Sequence, residues 1–229
     1  MAALVPHLEA LPEAQQRLWP TFQPLAGLGF VLYGGTAVSL RYGHRQSVDF
    51  DFFSDRPLDR AALAQGLPWL ASAIVLQEST DTLTVLAGES GLSNGPSATV
   101  KVSFFGGLAF GRLAAPDTTL DGVAQVASPQ DLLATKLKVL LQRVEAKDYQ
   151  DVATLLESGA DLAGGLAGAR VMYGSAFQPA ECLKALVYFE GGDLDTLPAA
   201  TRTALMGAVA STGPLPRVTI VAHTLAAPV

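Results

Sequence analysis

The sequence predicts an α+β chain: a mixed sheet with helices over residues 1–126, followed by a mainly helical domain over residues 127–229. Three observations lead there. Runs of β-branched and aromatic residues, bounded by turn formers, recur through the first half. The composition changes at Ser128, where SPQD offers Ser as N-cap, Pro at the first helical position and Asp at the third. From there to about Pro214 the apolar spacing is helical, broken at GADLAGG and EGGDLD.

Each element of the first half has a local reason. Residues 8–19 read as a short helix ended by Pro20, because proline cannot continue the ladder. GFVLYGG (29–35) reads as a buried strand running into a glycine turn, with Thr36 as N-cap of a short helix to Tyr42. SVDFDFFS (47–54) is the next strand. Pro57 opens a helix through Ala64, and Pro68 limits its extension. IVLQES, TLTVLAG and ATVKVSFF follow as three strands, with a turn or loop at GESGLSNGPS.

The whole-chain numbers bound the function. With 229 residues, 49% apolar and 16% charged, the chain can bury a sizeable core. Gln65 and Pro68 interrupt the longest candidate for a membrane span, and MAALVPHLEALPEAQQ lacks the basic start and apolar block of a secretory signal. Cys182 stands alone in ECLKALVYF and reads as a packed thiol; without a disulfide framework, a reducing cytoplasm is the simplest location. The net charge of −6 argues against broad nucleic-acid binding, although Lys136, Lys138, Arg143 and Lys147 cluster in twelve residues. The three histidines, His7, His44 and His223, have no metal-ligand spacing, which argues against zinc.

SVDFDFFS places two acids where strands seldom want them. Residues two apart share a face, so Ser47, Asp49, Asp51 and Phe53 point one way and Val48, Phe50 and Phe52 point to the core. The two carboxylates, roughly 7 Å apart at their bases, repel one another. A divalent cation relieves that repulsion, and hard oxygen donors select Mg²⁺ or Mn²⁺, ions that arrive with phosphates. Solvated acids on an open strand face are the competing reading. Upstream, Gly34 and Gly35 bare a backbone at a helix N-terminus, as a phosphate cradle requires and as an ordinary turn with positive φ also would. Arg41, His44 and Arg45 in the same stretch are candidates for a phosphate contact, with a surface turn the commoner reading of His44.

The order G-G-T-A, an intervening helix ending in R-x-S, then x-D-x-D resembles the signature of the polymerase-β nucleotidyltransferase superfamily. DLLATKLKVLLQRVEAKDYQDVATLL adds a lysine followed by a basic-Asp-x-x-Asp element, and with it residues 28–156 more closely resemble the nucleotidyltransferase AbiEii/AbiGii toxin family. That resemblance implies a minimal polymerase-β-like nucleotidyltransferase fold joined to a helical domain, with the nucleotide held between them. It implies that Asp49 and Asp51 bind Mg²⁺ and that Gly34, Gly35 and Thr36, with Arg45 and Ser47, form the nucleotide-binding set. Lys136 then serves phosphate or catalysis, and Asp148 completes the catalytic residues. The implied chemistry is nucleotide transfer from an NTP to an acceptor, tRNA in some members, in toxin–antitoxin or phage-defence systems with a cognate antitoxin.

Two features qualify the match. ATVKVSFF, the strand that often supplies a third carboxylate, carries Lys101, Ser103 and Phe105 on one face and no acid, with Ser103 in the candidate place. Glu78, Asp81 and Asp148 are then the candidates for a general base. On an ideal uninterrupted helix Lys136, Arg143 and Lys147 share one face, beside an apolar arc of Leu133, Leu137, Leu140, Leu141 and Val144. That face reads either as a solvated basic edge or as a stripe for triphosphate or RNA. Asp148 would fall within the apolar arc, so either it has a cationic partner or the helix breaks and it caps a new one. A degenerate nucleotide- or partner-binding relative, or a nucleotidyltransferase of aminoglycoside-like small molecules, stand as alternatives.

Overall fold

Alternation along the acid strand decides the architecture of the first half. A computed structural model of the chain describes residues 3–88 and 99–228. The chain divides into two compact units: Met1–Gly111 with Ala115–Ala127 and His223–Val229, and Arg112–Ala114 with Ser128–Ala222.

Among the described residues the first unit contains one eight-stranded sheet. In chain order the strands are β1 (Ala3–Leu4), β2 (Val31–Tyr33), β3 (Asp49–Phe53), β4 (Ile74–Ser79), β5 (Thr82–Ala87), β6 (Val100–Phe105), β7 (Asp117–Thr119) and β8 (Gln125–Val126). Their spatial order is β1-β7-β8-β2-β3-β6-β5-β4. The sheet is mixed: β3 runs antiparallel to β2 and parallel to β6, while β4, β5 and β6 form an antiparallel meander. The first half thus has the mixed sheet expected of it, in an α+β fold. The short strands β1, β7 and β8 escaped the sequence reading, since two or three residues carry no visible alternation. The turn expected at GESGLSNGPS lies, apart from Gly88, outside the described residues.

Three helices join these strands: α1 (Glu13–Leu18), α2 (Gly34–Tyr42) and α3 (Arg60–Gly66). Pro20 does end α1, but a 3-10 segment, Trp19–Leu25, continues directly. Helix α2 begins two residues before Thr36, so Thr36 lies inside its first turn and Tyr33 is the N-cap, without a side-chain cap bond. Helix α3 starts at Arg60 rather than Pro57, because the Asp59 carboxylate accepts from Ala62 N at 3.0 Å and caps it there. Its C-terminal end is met by a 3-10 turn opening at Pro68.

Phe50 and Phe52 fill the core beneath β3, with ring centroids 4.7 and 4.9 Å from Phe22. Phe50 also stacks on Trp19 at 6.0 Å. Val48 was expected with them, yet it is 62% exposed, because it precedes the first paired residue of the strand. The tail also belongs to this unit: Gln125 exchanges two hydrogen bonds with the Ala227 backbone, at 2.9 and 2.8 Å, and Asp55 accepts from Leu225 N.

The second unit is helical: α4 (Pro129–Val139), α5 (Ala146–Glu157), α6 (Leu162–Tyr173), α7 (Pro179–Val187) and α8 (Ala199–Ala210). Ser128 caps α4 as its sequence suggests, accepting from Asp131 N at 3.1 Å. GADLAGG interrupts less than expected, since Asp161 caps α6 and LAGG forms its first turn. Gly165 allows α6 to approach α4; a Cβ there would lie 2.5 Å from Leu133 Cδ2. Asp131 turns from capping to bracing, accepting from Leu113 N and Ala114 N at 2.9 and 3.2 Å. Cys182 is a packed thiol, and burial pushes its pKa up to about 12, so it is protonated at neutral pH. Among the described residues no helix is long and apolar enough to cross a membrane.

The burial pattern of β3 yields a direct expectation. Phe50→Ala should cost about 3–5 kcal/mol in urea unfolding, whereas Val48→Ala should change stability by about 0.5 kcal/mol or less. Equal losses at the two positions would contradict this placement of the core.

Candidate functional site

Asp49 and Asp51 stand on one face of β3, near the middle of the sheet, both half-buried. The register settles what faces them. On the β2 side Tyr33 pairs with Asp51; on the β6 side Lys101 pairs with Asp49 and Ser103 with Asp51. Beyond Asp51 the same face closes with aromatic rings, Tyr33 stacked on Phe53 at 4.8 Å and Phe105 edge-on to Phe53 at 5.3 Å.

Gly34 brings the start of α2 against these acids. Its φ of +74° is a left-handed value that glycine adopts without penalty. A Cβ at this position would lie only 2.6 Å from Asp51 Oδ2, so the missing side chain is also what admits the carboxylate. The first turn of α2 therefore starts beside Asp51, with no side-chain bond from its N-cap residue.

Thr36 has a different task from an exposed cap. It is buried, and its hydroxyl bonds both the Asp49 carbonyl oxygen and Ser47 Oγ, the latter at 2.8 Å. A hydroxyl has one hydrogen, and the carbonyl can only accept, so Thr36 donates to Asp49 and Ser47 donates to Thr36. This chain of bonds locks the glycine turn to the start of β3. Arg45 follows the C-terminal end of α2, with one Nη donating to the Gln46 carbonyl at 2.9 Å.

Lys101 was visible in the sequence as a same-face residue of its strand, but its partner was not. Its Nζ lies 3.6 Å from Asp49 Oδ2, with the two side chains 43% and 32% exposed. The register of β3 against β6 produces this pair, and alternation alone does not specify register. Among the described residues no group of three His, Cys, Asp or Glu side chains could hold a metal. The donor set is thus two hard carboxylates, which suits a Mg²⁺ or Mn²⁺ ion completing its shell with water and phosphate oxygens. The glycine left bare beside Asp51 suits the same ligand. Glu78 and Asp81 do not share this face: Glu78 sits on edge strand β4 beside Arg60 at 3.3 Å, and Asp81 accepts from Leu58 N at 3.0 Å.

The second unit carries its own charged cluster. The long helix breaks after Val139, and α5 starts at Ala146 with Glu145 as N-cap, so Asp148 lies in the first turn instead of capping it. The break also removes the shared basic face and leaves Val144 exposed. Lys136 is buried, its Nζ 2.8 Å from Asp148 Oδ1 and 2.5 Å from Asp151 Oδ2. Arg143 donates to Asp148 at 2.7 and 3.1 Å. Lys147 turns to Glu145 at 2.8 Å. Asp151 was overlooked as a partner of Lys136, although i,i+3 spacing places it beside Asp148 on α5. Burial raises the Asp148 carboxyl, but the Arg143 bonds and Lys136 charge outweigh it and hold the pKa below its ordinary value.

Known proteins resemble this chain in sequence and fold. The family model described as nucleotidyl transferase AbiEii toxin, type IV TA system, matches residues 21–222. An uncharacterized protein of Aquifex aeolicus is 33% identical over 129 residues, which are 56% of this chain and 57% of that protein. The chain thus spans just over half the length of that curated relative. Among solved structures, JHP933 from Helicobacter pylori has a TM-score of 0.59 at 17% identity, covering 87% of this chain and 92% of that one. An antigenic nucleotidyltransferase-like protein from Paracoccidioides brasiliensis gives 0.50 at 16%, covering 86% and 94%. These likenesses show a nucleotidyltransferase-like fold.

The buried cluster predicts how the helical unit responds to mutation and acid. Lys136→Ala removes the buried cation shared by Asp148 and Asp151 and should cost about 3–5 kcal/mol, read from urea unfolding. Because folding lowers the Asp148 pKa, its contribution is complete above the unfolded value of about 3.9 and is lost as pH falls through the folded value. Stability flat through that acid window in the wild type would contradict the pairing.

Proposed function

This chain belongs to the nucleotidyl transferase AbiEii toxin family, and on that footing we propose that it is a metal-dependent nucleotidyltransferase acting on tRNA. In this reading the acceptor hydroxyl oxygen forms a bond to the α-phosphorus of an NTP, the bond to pyrophosphate breaks, and the hydroxyl proton is released. Asp49 and Asp51 hold Mg²⁺ or Mn²⁺. The metal, when bound, supplies charge neutralisation at the phosphates and orients them.

The residues of the chain do the rest. Gly34 and Gly35 present backbone amides to the triphosphate, and the α2 N-terminus favours its charge. Thr36 and Ser47 hold that turn in register with Asp49. Arg45 adds a cation at the rim. Lys136 braces the helical unit, since its charge is already shared by Asp148 and Asp151. The observation that carries the proposal is the acid pair set against a glycine that cannot bear a side chain. The family description also supports a toxin role with a cognate antitoxin partner, and an activity on tRNA would place the protein in the cytoplasm.

A second reading has its own support. Lys101 beside Asp49, and Ser103 where an acid would complete the set, suit a relative that binds nucleotide without turnover. One experiment separates the two. Wild type, Asp49→Ala and Asp51→Ala are incubated with labelled NTPs, Mg²⁺ and total cellular RNA. The proposal expects labelled tRNA and pyrophosphate with wild type, and a loss of at least about 100-fold in either variant. Equal labelling by wild type and variants would overturn it; NTP binding without pyrophosphate release would favour the non-catalytic reading.

A further inference from the structure

The pairing of Lys101 with Asp49 has a consequence for the order in which ligands arrive. Two carboxylates on one strand face need a counter-charge whether or not a metal is bound, and in the free protein an ammonium from the neighbouring strand supplies it. The contact is built by register, since β3 and β6 run parallel with Asp49 directly opposite Lys101 and Asp51 opposite Ser103. It is also exchangeable. At 3.6 Å and with both side chains partly exposed, it is a weak ion pair, unlike the buried contacts of Lys136.

We propose that Lys101 is a tethered counter-cation that occupies Asp49 until a nucleotide draws it away, so that metal binding at the acid pair is coupled to nucleotide binding. This inference rests on the metal-binding role proposed for Asp49 and Asp51. A divalent ion approaching the free protein must displace an ammonium already held on the same carboxylate. A triphosphate changes the balance in two ways: it offers Lys101 a more highly charged anion, and it brings oxygen ligands to complete the metal shell. Lys101 is then a positioning residue, acting through Asp49 rather than on the reacting atoms.

The test is Mn²⁺ binding to the full chain without nucleotide, followed by the loss of the free-ion signal in electron paramagnetic resonance. Lys101→Met and Lys101→Gln should each bind Mn²⁺ about threefold or more tightly than wild type, whereas Lys101→Arg should bind like wild type. Asp49→Asn placed in the Lys101→Met background should abolish the gain. Adding a non-hydrolysable NTP should raise the Mn²⁺ affinity of wild type by a larger factor than that of Lys101→Met. Equal or weaker Mn²⁺ binding in both Lys101→Met and Lys101→Gln would overturn the inference, and so would an absence of binding in all variants. Either result leaves the transfer reaction standing if NTP turnover still depends on Asp49. Loss of that dependence removes the reaction and, with it, the basis of this inference.

Discussion

The approach of Asp51 to a bare glycine backbone is the constraint around which the first unit is arranged. Gly34 has a left-handed φ, and a Cβ would collide with the carboxylate. For this approach to occur, β2 must pair with β3 so that Tyr33 meets Asp51, and α2 must start immediately after β2. The aromatic core under Phe50 and Phe52 then holds β3 at the required depth. A loosely packed strand could not keep a carboxylate so close to a helix N-terminus. The apolar and polar faces of SVDFDFFS are therefore two halves of one device.

Each unit answers the repulsion between neighbouring carboxylates with a lysine, but on different terms. Lys136 is buried with Asp148 and Asp151 at salt-bridge distance on two sides, a geometry in which removing one partner is costly. Lys101 touches Asp49 at longer range and in partial contact with water. The first arrangement suits permanence and the second suits exchange. That contrast explains why the same residue type serves as a fixed brace in the helical unit and as a removable counter-charge on the acid strand.

Much of this was readable from local chemistry. The acid strand, the glycine turn and the Ser128 cap are short-range features whose residue types have few other uses, and all three occur where expected. What failed was anything that depended on partners distant in sequence. Val48 fits the alternation of a core face yet precedes the first paired residue. Lys136, Arg143 and Lys147 align on an ideal helix, but the chain turns between Val139 and Ala146, and Lys136 and Arg143 meet at Asp148 while Lys147 goes to Glu145. Lys101 could be assigned a face but not a neighbour, because only the β3–β6 register brings it to Asp49.

A nucleotide tail bridged by a divalent ion to the paired acids of β3 is the central claim, and diffraction from crystals grown with Mn²⁺ and a non-hydrolysable NTP tests it most directly. The account predicts an anomalous peak bonded to carboxylate oxygens of both Asp49 and Asp51, phosphates against the Gly34–Gly35 amides, and Lys101 withdrawn from Asp49. Bound phosphates with no anomalous peak at either acid, and Lys101 still resting on Asp49, would contradict it.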